Sequence, residues 1–360
     1  MTLGRSERRA RRRWFLFRRE IWRSGSSGRS RSRRWLAFLI PPWVWLIRLL
    51  DRLSPIKRTK SNLSTVWSQQ NFPCGRPTQV DDNSEELLAG SRAVRQVRED
   101  RPLISILIPT RDRVDLLSDC LRSLTGTTWE NFEVIIADND SEEAETQAFL
   151  ASVSHRVVPA PGKFNYSRII NTAARHATGA YLLTLNNDVV VTDPEWLTSL
   201  LEYAHGDVGI VGCSLVEPSG ESQHVGVAIA PYPQHLRAGV NIPADHPLVT
   251  TPRRVSAVTG ACTLIARDVW ERLGGLNENL PVVLNDIDMC LRAGALGVAT
   301  VVASDVVLQH AESSTRGSLV PSEDIFTFMA TWGICDSFRD PWFPAHWRLV
   351  GNRMVWSYDV

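Results

Sequence analysis

The sequence predicts an α/β protein that contains parallel strands. Within residues 101–335, short apolar runs alternate with segments of helical periodicity, which is the pattern of βαβ units. Polar residues directly follow three of these apolar runs, at Thr110-Arg111, Asp138-Asn139 and Asn187-Asp188. In open α/β sheets the carboxyl ends of the strands form the ligand crevice, so we expect one site along this edge.

The first strand is expected over residues 103–108, with Pro109 ending it. Asp112 is predicted to cap the following helix, in which apolar side chains recur at helical spacing: Leu116, Leu117, Cys120, Leu121 and Leu124. A second strand over residues 132–137 completes a strand–helix–strand unit, which predicts a parallel pair.

The next elements lead to the most informative stretch of the chain. A short third strand is expected over residues 157–161 and a helix over residues 166–176. The apolar run from Ala180 then stops at Asn186-Asn187-Asp188. Asn and Asp are turn formers, yet a carboxylate beside amides also suits a divalent cation bound partly through a substrate's phosphates. These residues alone leave turn and site equally open.

The second half of the chain has a less regular pattern. In order, the expected elements are a helix capped by Asp193 with Pro194 at its first position, a strand over residues 208–214, a hairpin over 215–230, a strand over 255–265, a short helix from Asp268 that Gly274 stops, a helix whose start within residues 284–292 contains two acids, and strands over 298–302 and 306–309. The strand over 255–265 contains Gly260-Ala261, which are small enough for a ligand or another backbone to approach. His310 follows the last strand.

Charge divides the chain into a basic arm and an acidic body. Residues 1–60 hold eighteen Lys/Arg and three acidic residues, whereas the whole chain of 360 residues has a net charge of +1. We therefore predict an arm over residues 1–60, a polar linker over 61–100, a folded domain over 101–335 and a C-terminal extension over 336–360.

The arm combines Arg with Trp and one apolar run. Residues 35–47 are uncharged, but thirteen residues containing Pro41-Pro42 are too few for a spanning helix, which needs about 20. Trp and Arg together suit a segment at the surface of an anionic membrane. A targeting peptide, a nucleic-acid-binding arm and an extension without a role remain open alternatives. The acidic composition of the body argues against nucleic acid as a partner.

The cysteine pattern favours reduced thiols. The six cysteines are scattered without a C-x-x-C pair, which argues against a disulfide framework or a zinc site: Cys74, Cys120, Cys213, Cys262, Cys290 and Cys335. We expect them to be mostly buried thiols of a cytosolic protein.

A set of motifs gives the chain a family resemblance. They are Ile-Leu-Ile-Pro-Thr-Arg-Asp-Arg (106–113), Ala-Asp-Asn-Asp-Ser (137–141), Phe-Asn-Tyr-Ser (164–167), Leu-Asn-Asn-Asp (185–188), Asn-Asp-Ile-Asp-x-Cys-Leu-Arg (285–292) and His-x-x-Ser-x-x-Arg-Gly (310–317). Over about residues 100–335 the sequence resembles the family 2 glycosyltransferases. Its C-terminal part resembles a bacterial subgroup that builds O-antigen and other surface polysaccharides, including rhamnosyltransferases. The resemblance implies the GT-A fold, a mixed and mostly parallel sheet flanked by helices.

The resemblance implies a divalent metal at the strand end of residues 186–188. Asp188 matches the last position of the family's D-x-D motif, while Asn187 stands where that motif has its preceding carboxylate. The metal, Mn²⁺ or Mg²⁺, neutralises charge that develops on a nucleoside diphosphate leaving group. His310 is expected to compensate for the missing carboxylate, and a nitrogen ligand favours Mn²⁺. A core or surface histidine without a metal is the alternative.

The resemblance also implies the catalytic base. Asp286 matches the carboxylate that takes the proton from the acceptor hydroxyl in an inverting transfer. The alternative is a helix cap, and one of the two acids in this turn is expected to serve in that way. Asp288 is the candidate for the cap or for positioning the acceptor, paired with Arg292 at i+4.

Seven positions match the family's nucleotide-binding residues: Pro109, Arg111, Asp138, Asn139, Asn165, Asn187 and Arg316. A carboxylate such as Asp138 accepts the imide N–H of uracil or thymine, so a pyrimidine base is favoured. Arg316, on a glycine-flanked loop, is expected to close over the diphosphate. A solvated surface charge is its alternative.

The expected function is therefore metal-dependent, inverting transfer of a sugar from a nucleotide-diphosphate donor, linked to UDP, dTDP or GDP. The expected acceptor is a glycan or lipid-linked glycan at the inner face of the cell membrane. A non-catalytic sugar-nucleotide-binding scaffold is one alternative, motivated by Asn187. A sugar-1-phosphate nucleotidyltransferase is another, although the segment after the first strand lacks the glycine-rich loop that it requires.

Overall fold

The computed structural model describes residues 99–229, 233–311, 321–332, 340–343, 347–350 and 353–356. The arm, residues 61–98 of the predicted linker and Arg316 lie outside the described residues. Among the described residues, no helix has the length and apolar character needed to cross a membrane.

The first half of the fold alternates strands and helices. Its elements are β1 (Ile104–Thr110), α1 (Val114–Leu124), β2 (Phe132–Asp138), α2 (Ala144–Ser152), β3 (Arg156–Pro159), α3 (Tyr166–Ala174), β4 (Tyr181–Leu185), β5 (Val189–Val190) and α4 (Trp196–Tyr203). The apolar residues of α1 fall at the spacing of one helix face, and Leu117, Cys120 and Leu121 are buried there as expected.

The second half contains short hairpin strands and the helices that complete the fold. Its elements are β6 (Val208–Val216), β7 (Ser222–His224), β8 (Val227–Ile229), β9 (Pro233–His235), α5 (Pro247–Thr250), β10 (Arg253–Val255), β11 (Cys262–Ala266), α6 (Arg267–Leu273), α7 (Asn285–Ala295), β12 (Ala299–His310), α8 (Ser322–Trp332), β13 (Trp347–Val350) and β14 (Arg353–Trp356). Gly274 ends α6 in the left-handed conformation at φ 70°, as predicted.

The central sheet has the order β10-β12-β6-β11-β4-β1-β2-β3, with β5 against β12 and β7 against β6. The β1–β2, β1–β4, β2–β3 and β6–β12 pairs are parallel, whereas β11 runs antiparallel to both of its neighbours. This mixed, mostly parallel sheet confirms the predicted fold class. The carboxyl ends of β1, β2 and β4 lie along one edge, which positions the predicted site.

Helices cover both faces of the sheet. One core contains Leu117 of α1 and Trp196 of α4. The other contains Ile169 of α3, Trp270 of α6 and Ile287 of α7. Because apolar side chains of the central strands enter both cores, these strands are nearly continuous apolar runs, as expected for a sheet buried on both faces.

Several predicted element boundaries were wrong. Strand β1 continues through Pro109 to Thr110, because the β1–β4 pairing ends at Leu107 and the proline lies beyond that ladder. Helix α4 begins at Trp196, so Pro194 precedes the helix, and Asp193 accepts the backbone N–H of Glu195. The helix α2 was not predicted, since its apolar residues do not form a stripe.

Two further differences involve strand continuity. The expected strand over 255–265 is divided into β10 and β11, with Gly260 in the connecting segment. The two strands expected over 298–309 are one strand, β12, whose register against β6 shifts between Ala303 and Val307. The charged residue inside this irregularity, Asp305, interrupts the apolar pattern and suggested a break in the strand.

The folded body includes residues beyond the predicted boundary at 335. Asp340 is 7% exposed and accepts hydrogen bonds from the Ile229 backbone N–H at 2.7 Å and from Ser256 Oγ at 2.7 Å. Phe343 packs in a small separate apolar cluster with Leu236 and Leu248. These residues of the predicted C-terminal extension are therefore part of the packing of the domain.

Candidate active site

The loops after β1 and β2 have backbone conformations that are unusual for non-glycine residues. Asp112, Arg113 and Asp140 have φ values of 52°, 53° and 58°. The prediction that Asp112 caps α1 is wrong, because its carboxylate accepts the backbone N–H groups of Glu142 and Glu143 before α2. The two loops therefore hold each other in place at the carboxyl edge of the sheet.

The loop after β2 presents one of the predicted nucleotide ligands. Asp138 accepts two hydrogen bonds at Oδ1, from the backbone N–H and the hydroxyl of Ser141. The Nδ2 of Asn139 donates to the carbonyl oxygens of Ala160 and Gly162, each at 2.8 Å. The Oδ1 of Asn139 is buried and has no hydrogen-bond partner in the described structure. Asn139 thus braces the loop that carries Asp138.

Thr110 connects the ends of three strands. Its carbonyl oxygen accepts the N–H of Asn139 at 2.8 Å, and its hydroxyl accepts from Asn187 Nδ2 at 3.3 Å. Thr110 also lies beside Asp138 in the parallel register of β1 and β2. These contacts bring together three of the predicted nucleotide residues, Asp138, Asn139 and Asn187. The sequence predicted this, because polar residues at the carboxyl ends of parallel strands meet at one edge of the sheet.

The other described nucleotide candidates occupy different surroundings. Pro109 lies inside β1, and Arg111 is half-exposed with its guanidinium 3.1 Å from Glu142. Asn165 has structural partners at both ends of its amide: Oδ1 accepts the N–H of Arg168 as the cap of α3, and Nδ2 donates to the carbonyl of Glu278. A second N–H and a second lone pair of this amide remain for its predicted contact with the nucleotide.

The predicted metal residues meet where β12 ends beside the strand-end turn. His310 pairs with Val189 of β5, and His310 Nε2 lies 3.1 Å from Asp188 Oδ1. Both side chains are buried, with 10% and 8% exposure. Asn186 Nδ2 lies 3.3 Å from the same imidazole nitrogen, and Gln223 contacts the other one, Nδ1.

These groups fit a divalent cation chemically. Asp188 Oδ1 is a buried carboxylate oxygen to which no described group donates a hydrogen bond, and its close neighbour is an imidazole nitrogen. No cluster of three His, Cys, Asp or Glu side chains suited to a metal occurs in the described part of the chain. Two protein ligands match a site that a substrate's phosphates and water complete.

Asp286 lies at the first turn of α7 and is partly exposed. Its Oδ2 accepts the N–H of Gly260 at 2.8 Å, and its Oδ1 accepts the N–H of Ile287. A Cβ on Gly260 would lie 3.3 Å from the Tyr166 hydroxyl and 3.4 Å from the Asp286 Cβ. The sequence predicted that a ligand or another backbone would approach these small residues; the groups that approach Gly260 in the structure are the side chains of Tyr166 and Asp286.

The segment Gly260-Ala261 connects Asp286 to the metal candidates. While the N–H of Gly260 binds Asp286, the carbonyl of Ala261 accepts the N–H of Asn186 at 2.9 Å. Asp188 is two residues further along the same turn. The candidate base and the candidate metal ligand are therefore supported by the same two-residue bridge.

Asp288 is 1% exposed, and both of its oxygens are occupied. Oδ2 lies 2.8 Å from Arg292 Nε, which is the predicted i+4 pair, and Oδ1 accepts from Trp332 Nε1. Arg292 also donates to the carbonyls of Leu273 and Gly275. A carboxylate in this state is not available to an acceptor, and Asp288 does not cap the helix with its side chain. Its contacts instead join α7 to α6 and α8.

Sequence reasoning missed Tyr166 and Gln223 as residues of this site. Thr110 was expected at this edge because it follows an apolar run, but it was given no role there. The hydroxyl of Tyr166 donates to the carbonyl of Gly260, which is 94 residues away. Gln223 is 87 residues from His310. No local spacing reveals these two contacts.

Part of the chain matches a known protein family. Residues 105–274 match the family described as Glycosyl transferase family 2. The matched segment extends from β1 to the end of α6 and includes Asp138, Asn187 and Asp188.

Three curated proteins are similar to this chain. The O-antigen biosynthesis protein RfbC of Myxococcus xanthus is 36% identical over 265 residues, which are 70% of this chain and 21% of that protein. The uncharacterized protein y4gI of Sinorhizobium fredii is 36% identical over 278 residues, 72% of this chain and 30% of that protein. N-acetylglucosaminyl-diphospho-decaprenol L-rhamnosyltransferase of Mycobacterium tuberculosis is 25% identical, covering 66% of this chain and 86% of that enzyme.

Solved structures include more distant resemblances. The mannosyltransferase PcManGT from Pyrobaculum calidifontis, in complex with GDP-Man and Mn²⁺, has a TM-score of 0.45 and 17% identity, covering 66% of this chain and 70% of that chain. GalNAc-T7 with UDP, GalNAc and Mn²⁺ has a TM-score of 0.47 and 14% identity, covering 58% and 44%. Residues 105–274 therefore form a domain that matches glycosyl transferase family 2, built on the mixed, mostly parallel sheet described above.

Proposed function

We propose that the protein is a metal-dependent, inverting glycosyltransferase of surface-polysaccharide synthesis. It would move a sugar from a nucleotide-diphosphate donor to a hydroxyl group of a glycan or lipid-linked glycan. The observation that carries this proposal is the juxtaposition of Asp188 and His310, joined through Gly260-Ala261 to Asp286. The arrangement places a candidate metal pair and a candidate base at the carboxyl edge of one sheet.

Asp286 is the proposed base. Its two backbone N–H partners fix the carboxylate in one orientation at the amino end of α7. Partial exposure leaves it accessible to an acceptor hydroxyl, in contrast to the buried Asp288. In an inverting transfer this carboxylate takes the hydroxyl proton as the oxygen attacks the anomeric carbon from the face opposite the leaving group.

The loop residues of β1 and β2 are proposed to hold the nucleotide. Asp138 accepts its described hydrogen bonds at Oδ1, and Oδ2 receives none that the structure records. This oxygen is suited to accept an N–H from a pyrimidine base. Arg111, half-exposed on the adjacent loop, is a candidate for the same ligand once it leaves Glu142. Arg316 remains a proposed diphosphate ligand on sequence grounds alone.

Asp188 and His310 are the residues proposed to hold Mn²⁺ or Mg²⁺. A bound divalent cation would neutralise the charge that develops on the departing diphosphate. Asn187, in place of a carboxylate, donates to Thr110 and holds the strand end in position. The imidazole of His310 supplies the second protein ligand, and its nitrogen favours Mn²⁺.

A lipid-linked acceptor and an anionic membrane surface are proposed from different observations. The Mycobacterium tuberculosis relative is named for an N-acetylglucosaminyl-diphospho-decaprenol acceptor. The basic, Trp-containing composition of residues 1–60 suits peripheral association with the inner face of the cell membrane. Deletion of residues 1–60 should reduce pelleting with anionic liposomes. Equal pelleting of the truncated and full chains would remove the arm from this proposal.

Release of nucleotide from a donor panel tests the proposed activity. The purified full chain is incubated with UDP-, dTDP- and GDP-sugars, Mn²⁺ and a synthetic N-acetylglucosaminyl-diphospho-prenol. The released nucleotide and the glycosylated acceptor are both measured. Asp286→Asn should lower transfer by about 10²–10⁴-fold while donor binding is kept. Asp119→Asn is the matched control, because Asp119 is exposed on α1 and pairs with Arg122 at the surface.

The scaffold alternative is favoured by one observation, the amide at position 187 instead of a second carboxylate. A scaffold would bind donor and release no nucleotide with any acceptor. Donor binding by the wild type without turnover, unchanged in Asp286→Asn, would therefore support the scaffold and contradict the catalytic proposal.

A further inference from the structure

Gln223 contacts His310 twice. Its Oε1 lies 2.5 Å from His310 Nδ1, and its Nε2 donates to the backbone carbonyl of the same residue at 3.3 Å. Gln223 is 5% exposed and lies on β7, which pairs with β6 and is therefore fixed to the central sheet. One amide thus binds both the ring and the main chain of the candidate metal ligand.

These two contacts fix the orientation of the amide. A backbone carbonyl oxygen only accepts hydrogen bonds, so the NH₂ group of Gln223 must face the carbonyl of His310. Its Oε1 then faces Nδ1, and that oxygen also only accepts. The hydrogen between them must therefore reside on Nδ1 of His310.

The tautomer determines what the other ring nitrogen presents. In a neutral imidazole with hydrogen on Nδ1, Nε2 carries a lone pair. Asn186 Nδ2 lies 3.3 Å from Nε2, at a distance where an amide donates to such a lone pair. Asp188 Oδ1 lies 3.1 Å from the same nitrogen and has no hydrogen-bond donor in the described structure. Two electron-pair donors therefore face each other, and a cation bound between them would take the place of the hydrogen bond from Asn186.

We propose that Gln223 is a positioning residue that holds His310 in the Nδ1–H tautomer, so that Nε2 and Asp188 together present a divalent-cation site. This inference rests on the proposed function for the identity of the cation. The opposite tautomer would place a hydrogen on Nε2 and direct it toward Asp188. That hydrogen bond would satisfy the carboxylate and occupy the position that the cation requires.

Imidazole ¹⁵N NMR of the metal-free full chain tests the tautomer directly. The chain has eight histidines, so ¹⁵N-histidine labelling with a His310→Gln spectrum identifies the resonances of interest. At a pH where the ring is neutral, we expect a protonated-type Nδ1 and an unprotonated-type Nε2 in the wild type. Gln223→Leu should convert much of the population to the Nε2–H tautomer.

Two further variants separate positioning from a general structural effect. Gln223→Glu loses the donor to the His310 carbonyl but keeps an oxygen acceptor for Nδ1, so at a pH where the ring is neutral it should retain the wild-type tautomer. Gln309→Leu is the control. Gln309 precedes His310 on β12, and because successive side chains of a strand lie on opposite faces, this change should leave the His310 resonances unchanged.

Titration with Mn²⁺ alone, followed by the electron paramagnetic resonance signal of free Mn²⁺, gives the second readout. Gln223→Leu should weaken binding by about 10- to 100-fold, with Gln223→Glu and Gln309→Leu close to wild type. An unchanged tautomer and unchanged Mn²⁺ affinity in Gln223→Leu would overturn the inference, as would a doubly protonated ring in the wild type. If the wild type has the expected tautomer and binds no Mn²⁺ even when UDP is added, the positioning role stands and the metal-dependent function fails.

Discussion

Asp286 and Asp288 are two residues apart, yet the same substitution should affect mainly the transfer rate at Asp286 and mainly the stability at Asp288. We compare Asp286→Asn with Asp288→Asn. Asp288 is 1% exposed and pairs with Arg292, whose side chain is 25% exposed. Removing one partner of a buried ion pair costs about 3–5 kcal/mol. Arg292 is partly exposed and keeps its two backbone carbonyl partners when Asp288 is replaced. We therefore expect Asp288→Asn to lower the free energy of unfolding by an amount at the lower limit of this range, about 3 kcal/mol.

Asp286→Asn should instead cost about 1 kcal/mol, because one of its two backbone N–H partners loses an acceptor in a partly exposed position. Its effect is expected on transfer, a loss of about 10²–10⁴-fold. Urea unfolding at equilibrium gives the free energies, and nucleotide release gives the rates. The reasoning is refuted if Asp288→Asn is as stable as the wild type, or if Asp286→Asn retains transfer.

Three other predictions concern stability and reactivity. Burial lowers the pKa of His224 well below its ordinary value of 6.5. The unfolded chain therefore binds a proton at this residue more readily than the folded chain does, so the contribution of neutral His224 to the free energy of unfolding is complete above pH 6.5 and falls below it. His224→Asn should flatten this part of a pH series of urea unfolding curves. Burial raises the pKa of Cys120 and Cys290, each to about 12, so neither thiol should react with a thiol reagent in the native protein at neutral pH, and peptide mapping would detect a labelled site. A Cβ at Gly212 would lie 2.5 Å from the Val258 Cβ. Gly212→Ala should therefore lower the free energy of unfolding by about 1–3 kcal/mol, measured by thermal or urea unfolding. The control is Gly294→Ala in a helix, where a Cβ would have open space around it, and this change should be neutral or stabilising.

The crevice could be predicted from the sequence because strand ends leave a local signal. Polar residues directly after apolar runs placed Asp138, Asn187 and Asp188 at one edge, and the parallel pairs of β1 with β2 and β4 place them there. The alternation of strands and helices likewise predicted the α/β fold. Both inferences depend on neighbours in sequence, which spacing reveals.

The contacts that complete the site could not be predicted in this way. Asp112 has the sequence features of a helix cap, but its partners are the N–H groups of residues 142 and 143 across the sheet edge. Asp288 and Asp286 look alike in sequence, and only the packing of α8 through Trp332 buries one of them. Tertiary contacts between distant residues decide these roles.

The two halves of the chain contribute different groups to the proposed site. Residues up to Asp188 form the proposed nucleotide side on a regular parallel arrangement, and Gly260, Asp286 and His310 contribute the proposed chemical groups from the irregular half. The segment Gly260-Ala261 joins the two halves: the N–H of Gly260 binds Asp286, while its carbonyl accepts from Tyr166 and Thr184 and the carbonyl of Ala261 accepts from Asn186. A change in this segment should therefore disturb the base and the metal candidates together.

The most direct test of the account is the position of Mn²⁺ in crystals of the full chain grown with Mn²⁺ and UDP. An anomalous difference map measured at the manganese absorption edge locates the ion independently of any fitted ligand. We predict a peak in direct coordination with Asp188 Oδ1 and His310 Nε2, with the diphosphate completing the site. A nucleotide-bound crystal whose Mn²⁺ peak lies away from both side chains would contradict the account.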